Sequence, residues 1–330
     1  MPLPAGTAKF VESFPPMPLS SCLLDSVAVL RVSGPQGADL LHAQLSQDFQ
    51  NWPADQARLA ALLNPQGRML ADFTALQWAP EQIVLLLDAS IAAAALQRLR
   101  MFVLRLKCTL DDVGAQLQRH GLLGATPDDY PVHLAPPPQP WGVRRLDSGA
   151  LLLRLPQADP AVRCLLVSDS TQPAQQTLQT ELAALPAQSA SAWALQDIRA
   201  GLPHITQATQ QLFVPQMLNL ELIGGLNFKK GCYPGQEVVA RSQYRGTLKR
   251  RTYLVSSAAP LQAGQEMVHV ADPGQPCGLV VNAAPDDAGR WWALAELKIS
   301  LAEQPGLHLG DASGPVVEIG ALPYALTAPA

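Results

Sequence analysis

Residues 229–241 read Lys229-Lys230-Gly231-Cys232-Tyr233-Pro234-Gly235-Gln236-Glu237-Val238-Val239-Ala240-Arg241, the most chemically unusual run in this sequence. Gly224, Gly225 and Gly231 permit backbone conformations closed to other residues, and Pro234-Gly235 is a turn dipeptide leading into a helix-compatible stretch, Gln236 to Ser242. Cys232 therefore stands just before a predicted helix N-terminus. Three local effects would favour its thiolate: the partial positive charge of the helix start, the cations Lys229 and Lys230, and neighbouring backbone N–H groups. Glu237 opposes them, although an i,i+4 pair with Arg241 would neutralise much of its field. A tight turn that accepts only a small side chain explains the cysteine equally well, because no His or Asp partner is visible beside it. The residues alone leave both readings open.

Working outward, the chain upstream alternates strand and helix patterns. Ser26 to Val32 alternates like a half-buried strand, and Ser33-Gly34-Pro35 reads as the start of a helix carrying Leu40, Leu41 and Leu45. Leu59 to Leu63, the turn Asn64-Pro65-Gln66-Gly67, and Met69 to Leu76 form a hairpin pattern. Ile83 to Leu87 predicts a strand, Asp88-Ala89-Ser90 a cap for the helix Ile91 to Met101, and Phe102 to Thr109 a further strand. A proline-rich loop covers 124–141. Strands at Leu151 to Leu155 and Cys164 to Val167, then a helix striped by Leu178, Leu182 and Leu185, make a second strand-and-helix unit. Downstream of Arg251 the texture changes to short strands between Pro, Gly and Asp turns, the mark of a sandwich or small barrel.

Composition narrows the function classes. With 330 residues, 48% of them hydrophobic and 15% charged, the chain is folded and long enough for two or three domains. A net charge of −4 provides no global positive field for a phosphate backbone or anionic membrane, which argues against direct nucleic-acid binding. No apolar run of about 18 residues is present, and the N-terminus lacks the pattern of a secretory signal, so the expected location is the cytoplasm with no membrane partner. The five cysteines contain no Cys-x-x-Cys pair and the six histidines no ligand spacing, so no metal site is assigned. Four of the cysteines read as buried apolar side chains; Cys232 does not.

The string Lys230-Gly231-Cys232-Tyr233-x-Gly235-Gln236-Glu237 resembles the signature of the YgfZ-type folate-binding proteins, relatives of the glycine cleavage T-protein. The flanks Phe213 to Leu220 and Tyr244 to Arg251 are similar to that family as well. So are Val29 to Pro35, the hairpin Leu62 to Arg68, Phe102 to Lys107, and Trp193 to Pro203.

This resemblance implies an α+β fold of three lobes. Two mixed α/β, ferredoxin-like lobes would occupy 21–245 and a C-terminal β-barrel 246–330, with 1–20 as an N-terminal arm, around a central cavity that takes a tetrahydrofolate. It also implies a role in assembling or repairing iron–sulfur enzymes, including those that modify tRNA, with such proteins or their assembly factors as transient partners. Cys232 would be the working thiol, supported by Lys230, Gly231, Tyr233, Gly235, Gln236 and Glu237. Asp72, Asp197, Trp193 and Arg241 would serve the folate. T-proteins themselves are aminomethyltransferases, and that one-carbon chemistry is the alternative.

Two departures from the T-protein pattern bear on the pocket. T-proteins carry paired aspartates after the hairpin glycine, where this chain has Ala71-Asp72; on strand pattern alone, Asp72 reads as an exposed residue. The T-protein glutamate that accepts hydrogen bonds from the pterin is matched by Arg199, which has donors and no acceptor. Either Asp197 substitutes for it, or the pterin is held differently, or no folate is bound. The basic run Arg241, Arg245, Lys249, Arg250 and Arg251 suits carboxylates such as a folate glutamyl tail, or simply forms a solvated face.

Overall fold

A computed structural model describes residues 18–157, 161–302 and 304–326. Most of the expected arm, residues 1–17, lies outside the described residues. The chain runs through β1 (Ser20–Leu23), β2 (Val27–Ser33), α1 (Gly37–Gln44), β3 (Arg58–Leu63), β4 (Met69–Ala79), β5 (Gln82–Asp88), α2 (Ala89–Arg100) and β6 (Thr109–Asp112). It continues as β7 (Leu117–Gly124), β8 (Val143–Arg145), β9 (Leu151–Arg154), β10 (Val162–Asp169), α3 (Pro173–Ala183), α4 (Ala190–Arg199) and α5 (Gln236–Tyr244). The C-terminal part holds β11 (Arg250–Ser257), β12 (Glu266–His269), β13 (Asp272–Pro285), β14 (Trp291–Lys298), α6 (Ile299–Ala302), β15 (Leu307–Leu309) and β16 (Glu318–Ile319).

These strands form three antiparallel sheets. Their orders are β3-β4-β5-β2-β6, β1-β7-β10-β9-β8 and β15-β12-β13-β14-β11-β16. The third curls into a half-barrel. Its two edges are linked through 315–319: Leu309 N donates to Pro315 O and Val317 N to Leu307 O, just before that segment enters β16 on the far edge. The α+β, T-protein-like fold implied by the signature is thus the one observed.

Burial explains how the sheets hold together. Leu62, Met69 and Phe73 of the first sheet share a core with Ile198 of α4 and with Leu254, Val281 and Leu294 of the third. The opposite face of the first sheet supplies Val29, Val84 and Leu86 to a core with Leu151, Leu165 and Val167 of the second. Each of these side chains moved from water to the interior contributes on the order of 1.5–3 kcal/mol. The first sheet is therefore sandwiched between the other two.

Local capping follows the sequence in places and departs from it elsewhere. Asp88 caps α2 by accepting a hydrogen bond from Ser90 N at 2.9 Å. The expected strand Phe102 to Thr109 is not formed. Turn bonds, Phe102 N to Leu99 O and Leu106 N to Val103 O, carry the helix end onward, and Lys107 N is drawn sideways to Gln36 Oε1 at 2.8 Å. The strand begins only at Thr109, where it pairs with β2. Helix α1 likewise starts at Gly37 rather than at Ser33-Gly34-Pro35. No helix among the described residues is long and apolar enough to cross a membrane.

Candidate functional site

The signature loop is seated on the first sheet's hairpin by two glycines. Gly235, with φ 79°, precedes α5, and a Cβ there would lie 2.6 Å from Asn64 O. On the other side of this approach, a Cβ on Gly67 (φ 74°) would lie 2.7 Å from Val238 Cβ. Only glycine permits both the left-handed backbone and this approach. Tyr233 and Val239 anchor the loop in the core at 6% and 0% exposure.

Lys230 fastens the same loop to α1. Its ammonium donates to His42 O and to Leu45 O (2.8 Å), carbonyls left without intrahelical partners at the helix end, and lies 4.7 Å from the Tyr233 ring centroid. Burial brings its pKa down to about 8, against the opposing influence of Asp48 and Cys232. Asn227 Oδ1 receives the backbone N–H groups of Lys229 and Lys230 at 2.8 and 3.1 Å. This scaffolding leaves Cys232 exposed. Gly231, Glu237 and Arg241 are also exposed, and Gln236 is half-buried.

A separate cluster lies where the three sheets meet. A cavity of about 270 Å³ is lined by Thr74 and Leu86 of the first sheet, Leu165 of the second, Trp193 and Asp197 of α4, and Ala283 of the third, with His204 among them. Asp72, on β4, is not exposed: it is 3% accessible, accepting from Ile205 N at 2.6 Å through one oxygen and facing His204 Nδ1 at 2.8 Å through the other. The exposed reading of this residue is therefore overturned, because the strand's acid-bearing face is covered by the chain around Ile205.

His204 bridges to a second acid, its Nε2 standing 3.6 Å from Asp197 Oδ2, while Asp197 Oδ1 lies 2.6 Å from Arg163 Nη1. Arg163 is fully buried on β10, donates through Nε to Pro156 O, and sits 5.3 Å from the Trp193 ring centroid. Burial alone would lower the His204 pKa, but Asp72 and Asp197 outweigh it and raise it well above 6.5. Burial likewise pushes Asp197 up, yet Arg163 and His204 hold its carboxyl below the ordinary value. With His204 protonated, two cations face two anions and the set is neutral. Asn282 clamps the His204 backbone on both sides, accepting from its N–H at 2.8 Å and donating to its carbonyl at 2.9 Å, from a bulged position of β13.

The candidate residues fall into two groups. Asp197 and Trp193 line the cavity, and Asp72 joins them through His204 without lining it; Cys232 and its motif neighbours belong to the loop, and neither Cys232 nor Arg241 lines the cavity. Arg199, one step along α4 from the cavity-lining Ile198, points elsewhere: it lies over the Trp292 ring at 5.3 Å and 3.9 Å from Asp286. Two members of the basic run are structural fasteners. Arg250 pairs with Glu296, and the buried Arg251 pairs with Glu221 and reaches Asn219.

His204 and Arg163 were not candidates on sequence. Arg163 left a signal, a single charge within Val162-Arg163-Cys164-Leu165-Leu166-Val167, since a charge in a buried strand needs a partner. His204 left none. Among the described residues, no group of three His, Cys, Asp or Glu side chains is arranged to hold a metal ion.

Comparison with solved structures places the fold. The chain superposes on the glycine cleavage system aminomethyltransferase T from Bartonella henselae with a TM-score of 0.73, over 93% of this chain and 86% of that one, at 15% identity. The fold is therefore that of the T-protein. No family model matches the sequence. Its relatives include the tRNA-modifying protein YgfZ of Yersinia enterocolitica and that of Sodalis glossinidius, each 29% identical over 94% of this chain and 94% of the relative. By sequence, the chain is similar to these YgfZ proteins along nearly its whole length.

Proposed function

We propose that this protein binds a tetrahydrofolate in the cavity between the three sheets and serves the assembly or repair of iron–sulfur enzymes, including those that modify tRNA, with Cys232 as its working thiol. The observation that carries the reading is the cavity itself, which joins apolar walls and Trp193 to the carboxylate of Asp197. Ligand sites commonly enclose about 300–1,000 Å³, so this one suits a compact head such as a pterin rather than a whole folate. A pterin offers amino and ring N–H donors and calls for an acceptor. Asp197 is that acceptor in this reading: Arg163 and His204 each meet one of its oxygens, and each oxygen has a second lone pair. Arg199, which faces away, is relieved of the role.

Cys232 stands on the outside, so its partners in this reading are iron–sulfur proteins or their assembly factors in the cytoplasm, not the bound folate. The relatives' description as tRNA-modifying proteins supports the tRNA connection, which would run through such enzymes without direct nucleic-acid binding.

Calorimetric titration with tetrahydrofolate should show binding that Asp197→Asn weakens about tenfold or more, the effect of a missing charged acceptor. Wild-type protein that fails to bind tetrahydrofolate would refute the folate half. The buried acid Asp72, at the hairpin position the T-proteins use, favours the aminomethyltransferase alternative. Formation of methylene-tetrahydrofolate from an aminomethylated lipoyl carrier would establish that activity, and its absence alongside folate binding would leave the accessory role.

A further inference from the structure

A second, larger cavity of about 670 Å³ adjoins the first, between β3 and the proline-rich segment 135–144. Leu59, Trp141 and Ile223 line both cavities and so form the partition between them. Trp141 holds an unusual backbone for this task, with φ 65° in the left-handed region. A bulky residue keeps that conformation only where its surroundings enforce it, and such positions concentrate at ligand sites. Here the enforcement is visible: Trp141 N donates to Arg154 O and Ala57 N donates to Trp141 O, each at 2.7 Å.

The walls of the larger cavity are cationic. Arg58 and Arg144 line it, while Asp55, exposed at its rim, is the one acid among the lining residues. Arg58 donates to Asn51 O at 2.9 Å and to Gln47 Oε1 at 3.4 Å, and Arg144 to His133 O at 2.7 Å. The Nε atoms of both are buried without a hydrogen-bond partner among the described residues. A guanidinium carries five N–H donors, so both side chains keep unused capacity. Two arginines beside a cavity, spending their bonds on neutral oxygens, suit a ligand that brings carboxylates.

We propose that the larger cavity receives the anionic tail of the ligand whose head occupies the smaller one, with Trp141 as the aromatic surface the ligand crosses and Arg58 and Arg144 as the cations that meet its carboxylates. This rests on the folate reading, in which the tail is a p-aminobenzoyl group followed by one or more γ-linked glutamates. It moves the tail away from the basic run after the signature, where Arg250 and Arg251 are already engaged by Glu296 and Glu221.

Calorimetry with three probes tests the assignment: a methyl-tetrahydropterin lacking the tail, monoglutamyl tetrahydrofolate, and a polyglutamyl form. Wild-type affinity should rise along the series. The Arg58→Gln/Arg144→Gln variant should bind both glutamyl forms about tenfold or more weaker for each carboxylate deprived of its arginine, and the tail-less probe as wild type does. If that variant does not fold, wild-type protein at increasing salt serves instead, and the glutamyl preference must shrink. Wild type that binds all three probes alike overturns this assignment and leaves the folate reading intact. Binding of none overturns both. A glutamyl preference that persists in the folded variant, or that salt leaves unchanged, also overturns it.

Discussion

The loop around Cys232 and the set around His204 hold their chemistry in opposite ways. The loop is built from neighbours in sequence: Gly235 allows the turn, Lys230 ties it to the end of α1, and the thiol is left facing outward. The His204 set draws Asp72 from β4, Arg163 from β10 and Asp197 from α4, and removes most of their charge from water. Display needs only a rigid local frame. Buried charge needs mutual neutralisation, and therefore contributions from several lobes. One consequence is that replacing the displayed thiol should strike activity while sparing stability, whereas substitutions in the loop's frame or in the buried set should lower stability.

The largest contrast is expected at the thiol. Cys232→Ala should abolish complementation in a strain lacking the protein, yet leave the unfolding free energy, read by urea denaturation, within the small range of ordinary surface substitutions, about ±0.5 kcal/mol. Full rescue by the alanine variant would remove the thiol from the function. Next comes Arg163→Met, which keeps the volume but leaves Asp197 without its cation. Breaking a buried pair in this way costs about 3–5 kcal/mol, readable in urea denaturation. The double variant Arg163→Met/Asp197→Asn should regain part of that loss, and strict additivity would mean that the pair is not coupled.

Gly235→Ala tests whether the loop's frame is as local as described. Its left-handed backbone and the short approach to Asn64 O predict a loss of about 1–3 kcal/mol together with lower activity, measured as midpoint and complementation on the same protein. An alanine variant with both unchanged would show that the loop does not depend on this approach.

The same contrast decides what could be read in the sequence. The loop was legible because its grammar is contiguous: Pro234-Gly235 marks the turn, and helix-compatible residues follow to give α5. The hairpin Asn64 to Gly67 was legible for the same reason, although its meeting with Gly235 was not. Asp72 looked exposed because strand alternation says nothing about which distant segment covers a face; Ile205 and His204 do so here. His204 follows a proline with no periodic context, and its two acids arrive from strand and helix far apart in the chain. Phe102 to Lys107 misled because its apolar residues are strand-formers, while the pull of Gln36 on Lys107 is a tertiary bond. The C-terminal strands were legible from turn spacing, but β7 was missed: its His120 and Gly121 interrupt the pattern, and Gly121 is there to let the Trp193 ring lie against the strand.

The smallest effect expected is also the one that separates the two regions by sign. His204 has its folded pKa raised above 6.5, so the stability it contributes is fully present below that value and lost as pH rises through the folded pKa. Its side chain is 38% exposed, so solvent screens the interaction and the amplitude is modest. Lys230 acts in the reverse direction. Its pKa is lowered from 10.5 to about 8, so between those values the unfolded chain binds more protons and stability rises with pH. Thermal midpoints of wild type, His204→Gln and Lys230→Met across this range should resolve the two. The gap between wild type and His204→Gln should narrow as pH rises above 6.5, whereas that between wild type and Lys230→Met should move in favour of wild type from pH 8 upward. Parallel curves for all three proteins would show that neither burial nor its charge partners set the protonation of these groups, and the distinction between displayed and neutralised chemistry would then rest on the thiol and Arg163 alone.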